Sequence, residues 1–189
     1  MLTDLNGADR AKLTDVLGQA QGRGWVGGRG VEQHIEHSLG FASVVAAIPL
    51  VAVDLGSGGG LPALVLAAVW PQSKWTLVES SLPRAAFLEL HCARLGWSER
   101  VDVLHMTAEH LGEDEQYRDR ADLVTARSFG PPASVISAAA PLLRPGGELI
   151  ASAAPTPTPW PSHMLAKQGM APDRLTQSPP RFHRSTRTS

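Results

Sequence analysis

Residues 54–60 read D-L-G-S-G-G-G and place four glycines between positions 56 and 60. They follow an apolar segment typical of a buried strand, at 51–54, and precede one typical of a helix, at 62–69. Glycine permits a tight turn and a close approach of the backbone, and the first turn of a helix leaves N–H groups free. The pattern therefore predicts a turn that holds a ligand.

Two acidic residues indicate what kind of ligand this turn would hold. Asp54 stands at the end of the predicted strand, and Glu79 ends the segment K-W-T-L-V-E. A carboxylate at Asp54 repels a pyrophosphate and attracts a cation, whereas one at Glu79 suits the hydroxyls of a ribose. Together they favour a nucleoside with a cationic, phosphate-free tail, as in S-adenosylmethionine. The overlapping frame G-G-G-L-P-A at 58–63 also matches the dinucleotide pattern, so the glycines alone do not decide.

The elements that must position these residues alternate between strand and helix. This alternation predicts an α/β fold with a mainly parallel, Rossmann-like sheet and helices on both faces, which binds ligands beyond the carboxyl ends of its strands. Strands are predicted at 51–54, 75–79, 101–105, 122–126 and 148–152, and helices at 62–69, 83–95 and 132–143.

The chain divides by composition into three predicted regions. Residues 1–48 read as an N-terminal helical cap, with helices at 8–20 and 31–48 around a glycine-rich loop at 21–30. Residues 49–152 form the predicted cofactor-binding core. The prolines of 153–163 predict an extended linker, because proline cannot donate ladder hydrogen bonds, and we expect the basic segment after it to be partly disordered.

Composition limits the class of protein. The chain has 189 residues, 43% of them hydrophobic and 19% charged, with a net charge of −1, which predicts one globular domain. No apolar stretch is long enough for a bilayer, the first ten residues lack a signal pattern, and no metal-ligand spacing occurs. The single cysteine, Cys92, is expected in the core of the 83–95 helix and fits a reducing compartment. We therefore expect a cytoplasmic monomer with neither membrane nor metal as a partner.

Several longer segments resemble the RsmG/GidB family of bacterial 16S ribosomal RNA guanine-N7 methyltransferases. They are V-D-L-G-S-G-G-G-L-P-A-L-V-L-A, T-L-V-E-S-S-L-P-R-A-A-F-L-E-L-H-C-A-R-L-G, T-A-E-H-L and the stretch from D-L-V-T-A-R-S-F-G to G-G-E-L-I-A. The resemblance runs from about residue 34 to 152, and the A-R-[AS]-F-[AG] motif at 126–130 is its most family-specific part. It implies a class I S-adenosylmethionine-dependent methyltransferase.

The resemblance also implies a set of site residues. The turn would contact the cofactor, Glu79 would bind its ribose, Ala108 and Glu109 would flank its adenine, and Arg127 would lie near its methionine end or the incoming base. The residues expected to bind the cofactor are Asp54, Gly56, Gly58, Gly60, Leu61, Glu79, Ala108, Glu109 and Arg127. Those expected to bind the substrate are Arg127, Arg181 and Arg184, and Arg23 and Arg29 would contact phosphates of 16S ribosomal RNA or the small ribosomal subunit.

Guanine N7 carries a lone pair and no proton, so its methylation needs no general base. Accordingly no catalytic acid or base is predicted, and His34 and His105 are expected to be packed or surface side chains. Alignment of the reactants and exclusion of water would supply the rate.

The sequence departs from the family pattern in two places, and these leave other functions open. Where the family has a Y-N-L-T-S-like segment this chain has G-R-G-W-V-G-G-R-G, and where it has Leu-Lys-Gly this chain has Ala151-Ser152-Ala153. The alternatives are a methyltransferase for a small molecule or a protein, and a catalytically silent module that retains the cofactor pocket. The basic segment after residue 163 is consistent with an electrostatic arm for RNA and equally with a solvated terminus.

Overall fold

The structure, a computed structural model, describes residues 4–153, 160–175 and 182–188. Helices and strands alternate along most of these residues, as the sequence predicts. The elements in chain order are α1 (Gly7–Gly22), α2 (Val31–Ala42), β1 (Val51–Leu55), α3 (Ala63–Val69), β2 (Lys74–Glu79), α4 (Leu82–Arg94), β3 (Val101–His105), α5 (Ala108–Glu113), β4 (Ala121–Ala126), α6 (Pro132–Ala139), β5 (Leu143–Ser152), α7 (Ser162–Lys167), β6 (Met170–Leu175) and β7 (Phe182–Arg187).

Within the described residues, seven strands form one sheet in the order β3-β2-β1-β4-β5-β7-β6. The strands β1 to β5 pair in parallel, whereas β7 is antiparallel to both of its neighbours. The predicted α/β, mainly parallel fold is thus confirmed. The strand order reverses at β1, which has β2 on one side and β4 on the other, and a ligand crevice is expected at such a switch point.

Alternate side chains of the strands pack into two cores, one on each face of the sheet. One face carries α1 to α4, and Leu77, Leu123 and Ile150 point into its core. The other carries α5, α6 and α7, and Val53 and Leu149 point into that core. The period of two along each strand puts successive side chains on opposite faces, so the central strands are buried on both sides and consist almost wholly of apolar residues.

The N-terminal helices belong to the first of these cores. Leu13, Leu17 and Ile35 are fully buried there, together with residues of α3 and α4. Asn6 caps α1 by accepting a hydrogen bond from the backbone N–H of Asp9 at 2.9 Å. The helix predicted at 31–48 ends earlier, at Ala42.

The C-terminal part differs from the expectation of a linker followed by a partly disordered tail. The described residues of that region form α7 and the β6–β7 hairpin, which extends the sheet beyond β5. Phe182 is 1% exposed, and its ring lies 4.5 Å from the ring of Phe41 in α2. This hairpin completes the core under α2. Residues 154–159 of the predicted linker lie outside the described residues.

In the part of the chain that the structure describes, no helix combines the length and the apolar character needed to span a membrane.

Candidate functional site

The glycine turn follows β1 directly, at the carboxyl edge of the sheet. Gly56 and Gly58 adopt φ values of +63° and +57°, in the left-handed region that side chains rarely occupy. A Cβ atom on Gly56 would lie 2.9 Å from Cδ2 of Phe129, so glycine is also required there by close contact. The N–H of Gly60 donates to the carbonyl of Ser57 at 2.7 Å, which closes the turn.

Two cavities open on either side of Gly56. The first, of about 170 Å³, is lined by the turn, by the 25–27 segment of the N-terminal loop and by three residues with polar side chains: Arg84, Arg127 and Ser128. The second, of about 220 Å³, is lined by Gly56, Val78, Ser80, Met106, Thr107, Ala108, Glu109 and Phe129. The two cavities share Gly56, and both have polar as well as apolar residues in their walls.

Glu79 lies at the end of β2 and is 2% exposed. Its Oε2 accepts a hydrogen bond from the N–H of Gly58 at 2.8 Å, and its Oε1 accepts one from the N–H of Ser81 at 2.8 Å. Each carboxylate oxygen has a further lone pair, so these two bonds leave acceptor capacity for a ligand. The carboxylate therefore fixes the glycine turn while remaining chemically able to bind hydroxyls.

Asp54 is buried behind the turn, at 1% exposure, and does not line either cavity. Its Oδ1 accepts a hydrogen bond from the hydroxyl of Thr125 at 2.6 Å, whereas Oδ2 has no partner among the described residues. Burial raises the pKa of Asp54 to about 7, against the opposing effects of its hydrogen bonds and of Arg127. A positive charge placed near this carboxyl group would favour its ionised form.

Arg127 follows β4 and lines the first cavity. Its Nη2 donates to Nδ1 of His34 at 2.6 Å, and its Nη1 is buried without a partner among the described residues. The next residue, Ser128, has a φ of +54°, an uncommon conformation for a residue with a side chain. His34 is therefore packed, as expected, but it contacts the site arginine, which the sequence did not indicate.

The N-terminal loop, predicted at 21–30, begins after α1 ends at Gly22, and it packs directly onto the glycine turn. A Cβ atom on Gly59 would lie 2.5 Å from Cγ2 of Val26, so the loop and the turn touch at this glycine. Trp25 lines the first cavity, and its ring lies 5.4 Å from that of Phe87. The guanidinium of Arg23 lies 5.3 Å from the Trp25 ring centroid. The sequence predicted a loop here but not its contact with the turn.

The residues predicted to bind the cofactor fall into two groups. One group lines the cavities: Gly56, Gly58, Leu61, Ala108, Glu109 and Arg127. The other does not line either cavity: Asp54, Gly60 and Glu79. The cofactor roles of both groups stay predictions.

The residues predicted to bind the substrate do not all lie at the cavities: Arg127 lines the first cavity, whereas Arg184 does not. Arg184 lies on β7, where its guanidinium forms an ion pair with Glu148, and it does not line either cavity. Arg181 lies outside the described residues. The role of both in substrate binding stays a prediction.

Three other expectations concern titratable side chains. Cys92 is buried in α4, as expected, and burial raises the pKa of its thiol to about 12. His105 is a surface side chain whose Nε2 lies 3.1 Å from the carbonyl of Ser80. Among the described residues, no group of three His, Cys, Asp or Glu side chains is arranged to hold a metal ion.

Two solved structures named as methyltransferases share this fold. A methyltransferase from Geobacter sulfurreducens superposes with a TM-score of 0.69 at 16% identity, over 95% of this chain and 89% of that chain. An O-methyltransferase family protein from Burkholderia thailandensis gives a TM-score of 0.65 at 15% identity, over 96% of this chain and 60% of the other. Fold and crevice define a class I, Rossmann-like methyltransferase architecture.

Sequence comparison gives the family within that class. A model of the family "rRNA small subunit methyltransferase G" (GidB) matches residues 28–157, and the chain belongs to this family. Ribosomal RNA small subunit methyltransferase G of Thermobifida fusca is 42% identical over 132 residues, which cover 68% of this chain and 54% of that protein. The Nocardioides protein of the same name is 37% identical over 152 residues, covering 76% and 59%. The chain thus spans about half the length of the curated relatives it matches.

Proposed function

We propose that this protein is an S-adenosylmethionine-dependent methyltransferase that methylates guanine N7 in 16S ribosomal RNA. The observation that carries the proposal is the family match, because residues 28–157 include the glycine turn and all of the second cavity. Of the residues that line the first cavity, only Trp25, Val26 and Gly27 lie outside the match. The relatives that carry this family name are ribosomal RNA methyltransferases by name.

The residues at the crevice fit the cofactor. In the second cavity, Val78 and Met106 provide apolar walls for an adenine, with the backbone of Ala108 and Glu109 at its edge. Glu79 has the acceptor capacity to bind ribose hydroxyls. The turn at Gly56 lies between this cavity and the first, which would hold the methionine part. S-adenosylmethionine supplies, when bound, a methyl group on a positively charged sulfur.

The residues of the chain would act by position and charge. Guanine N7 has a lone pair and loses no proton, so no side chain has to act as a base. Trp25, Leu61 and Arg127 would form the walls that keep water out of the first cavity and align the base with the methyl group. The carboxyl group of Asp54, buried behind the turn, would favour a positive charge in the crevice when ionised.

The partner that we propose on the substrate side is the small ribosomal subunit. Arg23 and Arg29, in the loop beside the first cavity, are cations suited to RNA phosphates. Arg181 and Arg184 would add to them from the C-terminal region. We propose that the protein acts as a monomer.

The experiment is methylation of small ribosomal subunits from a strain that lacks its own copy of this enzyme, followed by mass analysis of the nucleosides. The proposal predicts 7-methylguanosine in 16S ribosomal RNA. The matched variant Glu79→Gln, in which cofactor binding is weakened, should produce less of it. If the purified protein binds S-adenosylmethionine but labels only small molecules or proteins, the methyltransferase is retained and the RNA substrate is refuted. If it binds the cofactor and labels nothing, the silent-module alternative replaces the proposal.

A further inference from the structure

His34 is a buried histidine in α2 whose two ring nitrogens both have partners. It is 3% exposed. Its Nδ1 lies 2.6 Å from Nη2 of Arg127, and its Nε2 lies 3.1 Å from the carbonyl oxygen of Gly27. It therefore connects α2 with the residue after β4 and with the N-terminal loop, although it does not itself line either cavity.

The chemistry of the two partners fixes the proton on the ring. A guanidinium has only donors, so Nδ1 must be the unprotonated nitrogen that accepts from Arg127. A carbonyl oxygen only accepts, so Nε2 must carry the hydrogen that is donated to Gly27. Both bonds are satisfied together only by the neutral tautomer protonated at Nε2.

The charges around the ring favour this neutral form. Arg127 and Arg29 face His34, and both also face His37, one turn further along α2. Among the residues that the structure describes, Asp54 is the carboxyl group that contributes at this cluster, and it acts on Arg127. Burial and the two arginines lower the pKa of His34, and burial together with the same arginines and His34 lowers the pKa of His37 to about 4. A proton on Nδ1 would also replace a hydrogen bond by the contact of two cations.

This bond decides where the site guanidinium lies. Arg127 is held at Nη2 by His34, while its Nη1 has no partner among the described residues. Gly27, which accepts the other bond, lines the same cavity as Arg127. One imidazole therefore sets the position of a cation and of a backbone segment on two sides of the first cavity.

We propose that His34 is a positioning residue that holds Arg127 in the first cavity through the Nδ1 lone pair of a neutral imidazole. The part of the proposal that concerns turnover rests on the proposed function. The residue makes no contact with the cavity itself, so it acts through Arg127.

Two substitutions separate the two bonds of the ring. His34→Asn places an amide oxygen near the position of Nδ1, so it keeps an acceptor for Arg127 and loses the bond to Gly27. His34→Gln places its amide near the position of Nε2, so it keeps a donor for Gly27 and loses the acceptor for Arg127. The proposal predicts that His34→Asn stays within a few-fold of the wild-type kcat, whereas His34→Gln loses on the order of a hundredfold, as expected for a misplaced cavity group. Equal losses in both variants would overturn it.

A double-mutant cycle tests whether His34 acts through Arg127. In an Arg127→Ala background the further change His34→Gln should cost nothing in kcat, because the group that it positions is gone. If the two effects multiply instead, His34 acts independently of Arg127 and the proposal is refuted.

A third measurement does not depend on the reaction. Nitrogen-15 NMR of the wild-type protein should show His34 with a hydrogen on Nε2 only and with a pKa below the ordinary histidine value of 6.5. A resonance that titrates near the ordinary histidine pKa, or a hydrogen on Nδ1, would refute the proposal. If the protein methylates no ribosomal subunits while His34 shows the expected tautomer, the proposed function fails and the tautomer and positioning geometry of His34 stand.

Discussion

Replacing Asp54 by Asn should change how the stability of the protein depends on pH. The asparagine keeps the size of the side chain and an oxygen that accepts the hydrogen bond from Thr125. It removes the ability to ionise. Because burial raises the pKa of Asp54 from its ordinary value of 3.8 to about 7, the folded state binds this proton more tightly than the unfolded state does.

The sign of the effect follows from linkage. The protonated carboxyl group contributes to the stability of the folded protein. This contribution is fully present below pH 3.8 and is lost as the pH rises through about 7. Each pKa unit corresponds to about 1.4 kcal/mol, so the full difference amounts to about 4 kcal/mol. About 2 kcal/mol of it falls between pH 5 and pH 7. Over that interval the variant should gain this amount of unfolding free energy relative to the wild type.

Urea unfolding of the two proteins at pH 5, 6 and 7 measures this difference. Asp102→Asn, a change at an exposed position of β3, is the control and should follow the wild type at each pH. Parallel stability profiles for wild type and Asp54→Asn would refute the argument, because they would mean that Asp54 is ionised at little cost in the folded protein.

Three further variants test other parts of the structure. Glu79→Gln should weaken S-adenosylmethionine binding by roughly 10- to 100-fold in calorimetry, because a carboxylate that accepts hydrogen bonds is replaced by a weaker acceptor. The control, Glu89→Gln on the exposed face of α4, should leave the affinity unchanged. Equal affinities of the two variants would contradict the role of Glu79. Gly59→Ala should lower the unfolding free energy by about 1–3 kcal/mol, because the added methyl group overpacks the contact with the N-terminal loop. Gly28→Ala is the control, because a Cβ atom there meets nothing within 4 Å. Equal melting temperatures of the two variants would refute the contact. Arg184→Met should destabilise the protein by about 3 kcal/mol, because the buried carboxylate of Glu148 loses its guanidinium partner and is left with the N–H of Ala46. If unfolding is unchanged but the salt dependence of RNA binding becomes less steep, Arg184 acts on RNA and not in the fold.

The sequence predicted the elements that local signals define. The alternation of apolar strands and amphipathic helices gives the parallel sheet, and the glycines at 56–60 give the turn after β1. It was less successful where long-range pairing decides the structure. The helix predicted at 132–143 ends at Ala139, and the R-P-G-G segment at 144–147 belongs to β5, whose register with β4 is shifted between Ala121 and Leu123.

The C-terminal hairpin was missed for a similar reason. Residues of β7 such as His183 and Arg184 have low hydropathy, and nothing in their own pattern indicates a strand. Pairing with β5 and the ion pair to Glu148 provide what the local sequence lacks, and tertiary context of this kind overrides propensity.

In the candidate site, too, the sequence predicted what local signals define and missed what long-range contacts decide. Residues close in sequence to the turn or to a strand end were identifiable from the type and place of their side chains. The bond between His34 and Arg127 joins positions 93 residues apart, so no spacing reveals it. His34 lies in the helix predicted at 31–48, and the packing of α2 against the sheet was needed to show its partner.

The measurement that tests the central claim most directly is calorimetry of the purified, folded protein with S-adenosylhomocysteine and with NAD. One-to-one binding of S-adenosylhomocysteine, weakened by Glu79→Gln, is expected, together with no binding of the dinucleotide. Two results would contradict a cofactor site built on the turn at Gly56–Gly60. One is heat of binding with NAD but none with S-adenosylhomocysteine, and the other is an affinity for S-adenosylhomocysteine that Glu79→Gln leaves unchanged.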